Sequence, residues 1–223
     1  MIGRPRVHHR CTDSTNERAR RLASGGTPHG TLVTADEQTA GRGRQGRAWI
    51  APPGSAVLMS VVLRRFGEML PLAAGVAVCE ALPVPALVKW PNDVWVEGRK
   101  VAGILVEGRP LEEWAVLGIG VNVGVSEFPA ELRESATSLR REGLDIGNEE
   151  LLGSLLVSLE RWLGRSAGEV LAAWRSIDAL RGETVHWAAG SGQAAGINNA
   201  GALLVDTGSG QVALDAGEVH LLR

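Results

Sequence analysis

Residues 86–123 read ALVKWPNDVWVEGRKVAGILVEGRPLEEWAVLGIGVNV. Apolar, β-branched runs alternate here with turn signals, so the stretch reads as strand, turn, strand, hairpin, strand. Pro91 holds Trp90 extended, Asn92-Asp93 makes a turn, and Gly98-Arg99 makes a hairpin. Working outward, Ala56–Leu63 is a further apolar strand and Met69–Leu82 a buried helix. Arg6–Cys11 and Thr31–Ala35 read as strands. Between them Ser14 and Glu17 form a capping box, and the helix they open ends at Gly25-Gly26. Downstream, Glu149–Trp174 carries two helical patterns broken near Gly164. After Leu180 come short strands split by Gly-Ser-Gly and Asn-Asn-Ala-Gly, a small β-barrel or sandwich of about five strands. Runs of strands with flanking helices give an α+β fold. The division falls between 1–178, the main domain, and 179–223, a small β domain.

The 223 residues are 44% hydrophobic and 22% charged, with mean hydropathy +0.03, enough apolar material for a core and against disorder. A net charge of -2 excludes a nucleic-acid-coating protein. No run approaches a membrane span, and the N-terminus lacks the apolar stretch of a secretory signal. Cys11 and Cys79 lack metal or redox spacing and suit a reduced, cytoplasmic protein. Of 23 lysine and arginine residues only Lys89 and Lys100 are lysine. Coding bias toward arginine accounts for the ratio, but arginine cannot replace lysine where a compact ammonium is needed.

Five segments could carry chemistry. Gly41-Arg42-Gly43-Arg44-Gln45-Gly46-Arg47 has the glycine spacing of a dinucleotide fingerprint. It follows no convincing strand, and Pro52-Pro53-Gly54 leave no room for a helix, so that reading fails. What remains is a set of guanidinium forks and backbone N–H groups suited to phosphate or carboxylate oxygens, with Trp49 beside them able to stack on a base. The whole of Glu37–Ser55 reads as a long loop, and in a compact domain loops of that length are usually functional or disordered. Lys89-Trp90-Pro91-Asn92-Asp93 puts one of the two lysines at the end of an apolar strand. In the third segment, Gly98–Glu107, alternation places Lys100 on one face with Ala102, Ile104 and Val106, where it meets an anion or snorkels to water. Gly103 within that strand suits close approach by a ligand or a backbone. In Leu117–Val123, Gly118, Gly120 and Asn122 share a face, which makes either a bare floor for a flat ligand or a tight packing surface. Ser14-Thr15-Asn16 is explained as a cap, and a helix N-terminus also suits a polar ligand. The histidines show no metal spacing, and no Gly-x-Ser-x-Gly elbow is present.

In this order, Asp13–Asn16, Glu37–Trp49, Lys89–Asp93, Gly98–Glu107 and Gly118–Asn122 resemble the biotin–protein ligases, also called biotin–[acetyl-CoA-carboxylase] ligases. The tail, Gly196-Ile197-Asn198, Gly201–Val205 and Gly217-Glu218-Val219, resembles their SH3-like C-terminal domain. The resemblance covers nearly the whole chain. It implies a mixed-sheet catalytic domain of the biotin/lipoate ligase type and two half-reactions. Biotin and ATP give biotinyl-5′-AMP and pyrophosphate, then the biotinyl group passes to a lysine of a biotin carboxyl carrier protein.

Carried over, the resemblance makes Lys100 and Arg42 catalytic. Ser14, Thr15, Asn16, Gln38, Gly41, Arg42, Lys100, Gly103, Gly118 and Gly120 form the biotin site. Arg44, Arg47, Trp49, Lys89, Asn92, Asp93 and Asn122 serve ATP, and Asp93 serves Mg2+. The arginine loop is expected to order only around ligand. Homodimerisation through the sheet is known among the ligases that the chain resembles. The chain begins almost at the catalytic segments, so repressor activity and DNA binding are not expected. Asn198 stands where the resembling proteins usually carry Asp. The ending Glu218–Arg223 reads one residue longer than their pattern. A lipoate–protein ligase shares the fold class, but the Gly41–Trp49 spacing argues against it. A biotin or adenylate sensor without turnover would not need Lys100, Asp93 and three loop arginines.

Overall fold

The computed structural model describes residues 1–109, 113–215, 217 and 219–221. Seven strands form one mixed sheet: β1 Arg6–His9, β2 Leu32–Ala35, β3 Ala56–Leu63, β4 Leu87–Lys89, β5 Asp93–Val96, β6 Arg99–Arg109 and β7 Trp114–Asn122. Their order is β1-β2-β3-β7-β6-β5-β4. Only β1 and β2 run parallel, joined by helix α1, Thr15–Ser24. The long central strands β3, β7 and β6 pair in continuous antiparallel register, with Leu58 opposite Gly120 and Gly120 opposite Gly103.

The two faces of this sheet are covered differently. Alternate residues Val57, Met59, Val61, Leu117, Ile119, Val121, Ala102 and Ile104 pack against helices α2, Leu70–Ala81, and α3, Asn148–Trp162. Leu151, Leu155 and Leu159 recur on one face of α3 and are fully buried there, each contributing about 1.5–3 kcal/mol. On the opposite face α1 covers only one end, setting Ala19 and Ala23 on Val33, Val62, Trp114 and Val116. The rest of that face carries Gly118, Gly120 and Gly103.

Three local expectations change. The helix α1 has Ser14 at its N-cap, but the Ser14 side chain makes no cap bond. Gln38 Oε1 takes the Thr15 N–H at 2.6 Å and Asp13 Oδ1 the Ser14 N–H at 2.8 Å, so side chains from outside the helix do the capping. The β5–β6 turn is Glu97-Gly98, both at positive φ as a two-residue hairpin requires, one residue earlier than expected. Lys100 does not share a face with Ala102 and Ile104. The register slips between Val94, opposite Ala102, and Trp95, opposite Lys100, which leaves Val101 as an extra residue. This bulge turns Lys100 to the glycine face, where an added Cβ on Gly103 would lie 3.3 Å from Lys100 Nζ.

Helix α4, Ala167–Ser176, opens with a complete capping box: Ser166 accepts from the Glu169 N–H, and Glu169 accepts from the Ser166 N–H. Replacing Ser166 by Ala is expected to cost about 1 kcal/mol in urea denaturation. Ligand binding should not change, because α4 lies behind the sheet.

Beyond α4 lie β8 Thr184–Trp187, β9 Gly190–Ile197, β10 Leu203–Thr207, β11 Gly210–Leu214 and β12 His220–Leu221. They form an antiparallel sheet in the order β11-β10-β9-β8-β12. Among the described residues its outer strands do not pair, because β12 is two residues long and pairs only β8. Among the described residues the sheet is therefore not closed into a barrel, so the SH3-like form that the resemblance implied holds only roughly. Glu218, Leu222 and Arg223, on which the tail comparison partly rests, lie outside the described residues. The sheet's inner residues Val185, Ile197, Leu203 and Val205 share a core with Leu72 and Val76 of α2 and Trp174 of α4. Trp90 Nε1 also donates to the Gly201 carbonyl at 3.1 Å, tying the β4–β5 turn to the C-terminal sheet.

Candidate active site

The polar end of the site is built where α1 meets β3. Ser14, Thr15 and Asn16 are all buried. Gln38 Oε1 accepts from both the N–H and the hydroxyl of Thr15. Ser60, fully buried, lies 2.8 Å from Thr15 Oγ1 and 2.6 Å from Asn16 Oδ1 and shares its proton between them. Asn16 Nδ2 donates to Glu107 Oε2 at 2.8 Å. Arg20 pairs with both Glu107 and Glu17, and Arg42 Nη1 lies 3.4 Å from Glu17 Oε2. Sequence reading missed Ser60, Glu17 and the role of Glu107. Ser60 left a signal: it is the one polar residue in the run AVLMSVVL.

The loop expected over 37–55 contains a small hairpin. Arg42 bridges Ala48, the Gly43 N–H donates to the Arg47 carbonyl at 2.7 Å, and Arg44–Gly46 form a 3-10 turn. Gly41 lets the two arms close, since a Cβ there would lie 2.9 Å from Gln38 Nε2 and run into the Trp49 carbonyl. Trp49 is not the exposed ring that the sequence suggested. It folds over the bare floor: a Cβ on Gly120 would lie 2.5 Å from its ring, and one on Gly103 3.0 Å. Lys100 Nζ stands 5.7 Å from the centre of the same ring. Between the loop, Leu105 and Glu107 lies a cavity of about 710 Å³. A second cavity of about 170 Å³, beside Phe66, Met69 and Trp162, holds none of these residues.

The third part is a row of cations. Lys100 Nζ pairs with Asp93 Oδ1 at 2.6 Å. Asn92 donates to the Ile104 carbonyl and accepts from Arg44 Nη1 at 3.1 Å. Burial lowers the proton affinity of Arg44 against the pull of Asp93. Burial likewise lowers the Lys89 ammonium, with Asp93 opposing and the charges of Lys100 and Arg47 adding to the effect. Lys89 also sits 5.3 Å from the Trp95 ring. Asn122 differs from the rest: it is buried and spends its amide on the Thr137 carbonyl at 3.1 Å. The residues singled out in the sequence thus converge on one face, with Asn122 engaged at its margin.

The profile described as the Biotin/lipoate A/B protein ligase family matches residues 8–124, more than half of the chain. The chain belongs to this family. A Biotin protein ligase C terminal domain matches residues 181–222. The Biotin--[acetyl-CoA-carboxylase] ligase of Mycobacterium tuberculosis is 36% identical, over 95% of this chain and 87% of that protein. The Bifunctional ligase/repressor BirA of Bacillus subtilis is 33% identical, over 99% of this chain and 75% of that protein. Among solved structures, biotin protein ligase from Aquifex aeolicus in complex with biotin and ATP superposes with a TM-score of 0.85 at 32% identity, covering 99% of both chains.

Proposed function

We propose that the chain is an ATP-dependent biotin–protein ligase. The observation that carries this reading is the juxtaposition of the two ends of the site. A buried polar cluster, Thr15, Asn16, Gln38 and Ser60, stands at one end of a glycine floor, and a cationic row headed by Lys100 stands at the other. Biotin has a polar head, an apolar chain and a terminal carboxylate, which suits that order.

In the first half-reaction a biotin carboxylate oxygen bonds to the α-phosphorus of ATP, and the bond to the β-phosphate oxygen breaks, releasing pyrophosphate. Carboxylate and triphosphate repel each other, so fixed positive charge and exclusion of water are what the protein must supply. Lys100 is the point charge between the reacting groups. Arg42, Arg44 and Arg47 approach from the hairpin, and Trp49 roofs the floor and offers a face to adenine. In the second half-reaction the ε-amine of a carrier lysine bonds to the biotinyl carbonyl carbon, AMP leaves, and the amine gives up its proton.

Among the described residues no group of three or more His, Cys, Asp or Glu is arranged for a metal. Mg2+ bound mainly by phosphates and water needs only one or two carboxylates, and Asp93 fits that limited demand. When bound, the ion would offset phosphate charge. Among the described residues no helix is long and apolar enough to cross a membrane. Cys11 and Cys79 are free, as a reducing cytoplasm keeps them. The proposal includes a biotin carboxyl carrier protein as partner and a division at residues 178/179. It extends to a homodimer across a sheet edge, read by sedimentation.

Biotin-dependent exchange of labelled pyrophosphate into ATP tests the reading. Exchange that requires biotin and ignores lipoate is expected, and none with either acid would overturn it. Biotin plus ATP should also slow tryptic cleavage within residues 41–48, where the bonds after Arg42, Arg44 and Arg47 are open to the protease and the Arg42 and Arg47 side chains are exposed. Equal cleavage with and without ligand would count against closure of this loop over substrate.

A further inference from the structure

Lys100 reaches the glycine face only through the bulge at Val101. In an unbroken pleat it would fall on the face of Ala102 and Ile104, against the core. Strand β7 does not hold the bulge, because its register with β6 ends at Val121 opposite Ala102. Beyond that point the segment Ser135–Thr137 takes the place of β7. The Lys100 N–H donates to the Ser135 carbonyl, and the Lys100 carbonyl accepts from the Thr137 N–H, both at 2.8 Å. Lys100 is thus bridged to Ala136 on one side and paired with Trp95 of β5 on the other.

Glu142, on the turn that follows this segment, ties the two sides of the bridge together. Its Oε1 accepts from Arg99 Nη2 at 2.8 Å and from the Thr137 hydroxyl. Arg99 directly precedes Lys100, and Thr137 carries the N–H that holds the Lys100 carbonyl. The Glu142 side chain is only 10% exposed and Thr137 is fully buried, so water is a poor substitute for these bonds. Asn122 adds a tie from β7 by donating to the Thr137 carbonyl.

We propose that Glu142 is a positioning residue for Lys100: it locks Arg99 and Thr137 on either side of the bridge and so fixes the ammonium at the reacting end of the cationic row. The inference rests on the ligase reading above and deepens it. With Glu142 cut back, the Thr137 hydroxyl and the Arg99 guanidinium lose the acceptor they share. Residues 135–137 then hold Lys100 less firmly, and the bulge relaxes toward the regular pairing that turns the lysine to the core face. Displacing a reacting group by about 1 Å lowers turnover by as much as roughly 10²-fold. The groups that bind biotin and nucleotide elsewhere in the site stay where they are.

Glu142→Ala should lower kcat for pyrophosphate exchange by roughly tenfold or more, with KM for biotin and for ATP within about threefold of wild type. Glu142→Gln keeps an acceptor for both donors and should recover most of the loss. In a Lys100→Ala background Glu142→Ala should have no further effect, because its effect runs through the lysine. A merely structural role would lower exchange in both backgrounds alike. That result, or wild-type kcat in Glu142→Ala, would overturn the proposal. Because the chain has only two lysines, protein carrying an NMR-active carbon at lysine Cε gives two side-chain signals. Glu142→Ala should shift or split the signal of Lys100, recognised by its absence in Lys100→Ala, and leave that of Lys89 in place. An unmoved Lys100 signal would also overturn the proposal. If Glu142→Ala does not fold, Thr137→Val, which removes one of the two donors at similar volume, takes the same tests and should show the same pattern with smaller losses. A Lys100 signal that moves in a protein without biotin-dependent exchange would keep Glu142 as the residue that positions the lysine and remove the ligase reading.

Discussion

Replacing Lys100 by Ala is expected to lower biotin-dependent pyrophosphate exchange by roughly 10²- to 10³-fold, while the protein stays folded. The bulge at Val101 delivers the ammonium to the glycine face beside Gly103, within reach of Asp93 and the Trp49 ring. No other lysine heads the row, and the loop arginines approach from the hairpin side. The Lys100–Asp93 pair is partly exposed, with side-chain exposures of 30% and 20%, so losing it costs at most about 1 kcal/mol. Urea denaturation should therefore move little while exchange collapses. Lys100→Arg should rescue poorly, because a broad planar guanidinium does not reproduce the compact ammonium held between Asp93 and the Trp49 ring. Exchange within threefold of wild type in Lys100→Ala would remove the lysine from the chemistry.

Much of this arrangement was legible in the sequence, and the parts that were not share a cause. Element types followed from periodicity: Ala56–Leu63 reads as a strand and is one, and Gly25 ends α1 as expected. Five short strands after Leu180 also followed, because Gly-rich turns punctuate them. Their closure did not follow, since it depends on whether two distant edges meet. The face of Lys100 was misread because alternation assumes an unbroken pleat, and a bulge by one residue inverts every side chain beyond it. Gly98 and Lys100 carry no local mark of that insertion. The cap of α1 was misassigned because Ser14 satisfies the local rule while Gln38, distant in sequence, arrives in space with a better acceptor. Ser60 went unnamed although a serine inside an apolar strand is costly without a partner. That cost was the readable clue to the polar end of the site.

Gly118→Ala is expected to damage both stability and biotin recognition, because the one added carbon has nowhere to go. It would lie 2.8 Å from Asn16 Cγ and closer still to Asn16 Oδ1. Asn16 cannot yield cheaply. It sits in the first turn of α1, next to Thr15, whose N–H is held by Gln38, and its amide is bonded to Ser60 and Glu107. Expelling it strands buried Ser60 with a poorer acceptor and frees Glu107, at a cost of about 1–3 kcal/mol. The polar head of biotin would lose the same cluster, so its KM should rise by at least about tenfold, the worth of one hydrogen bond to a buried group. Tripolyphosphate binding should be unchanged, because the cationic row lies at the other end of the floor. The double variant Gly118→Ala/Asn16→Ala separates clash from hydrogen bonding. With Asn16 truncated the three atoms nearest the added methyl are gone, so the double variant should be about as stable as Asn16→Ala alone, a strong departure from additivity. Additive losses in urea denaturation would mean that the glycine serves the backbone rather than Asn16, and the floor would then have to be explained without it.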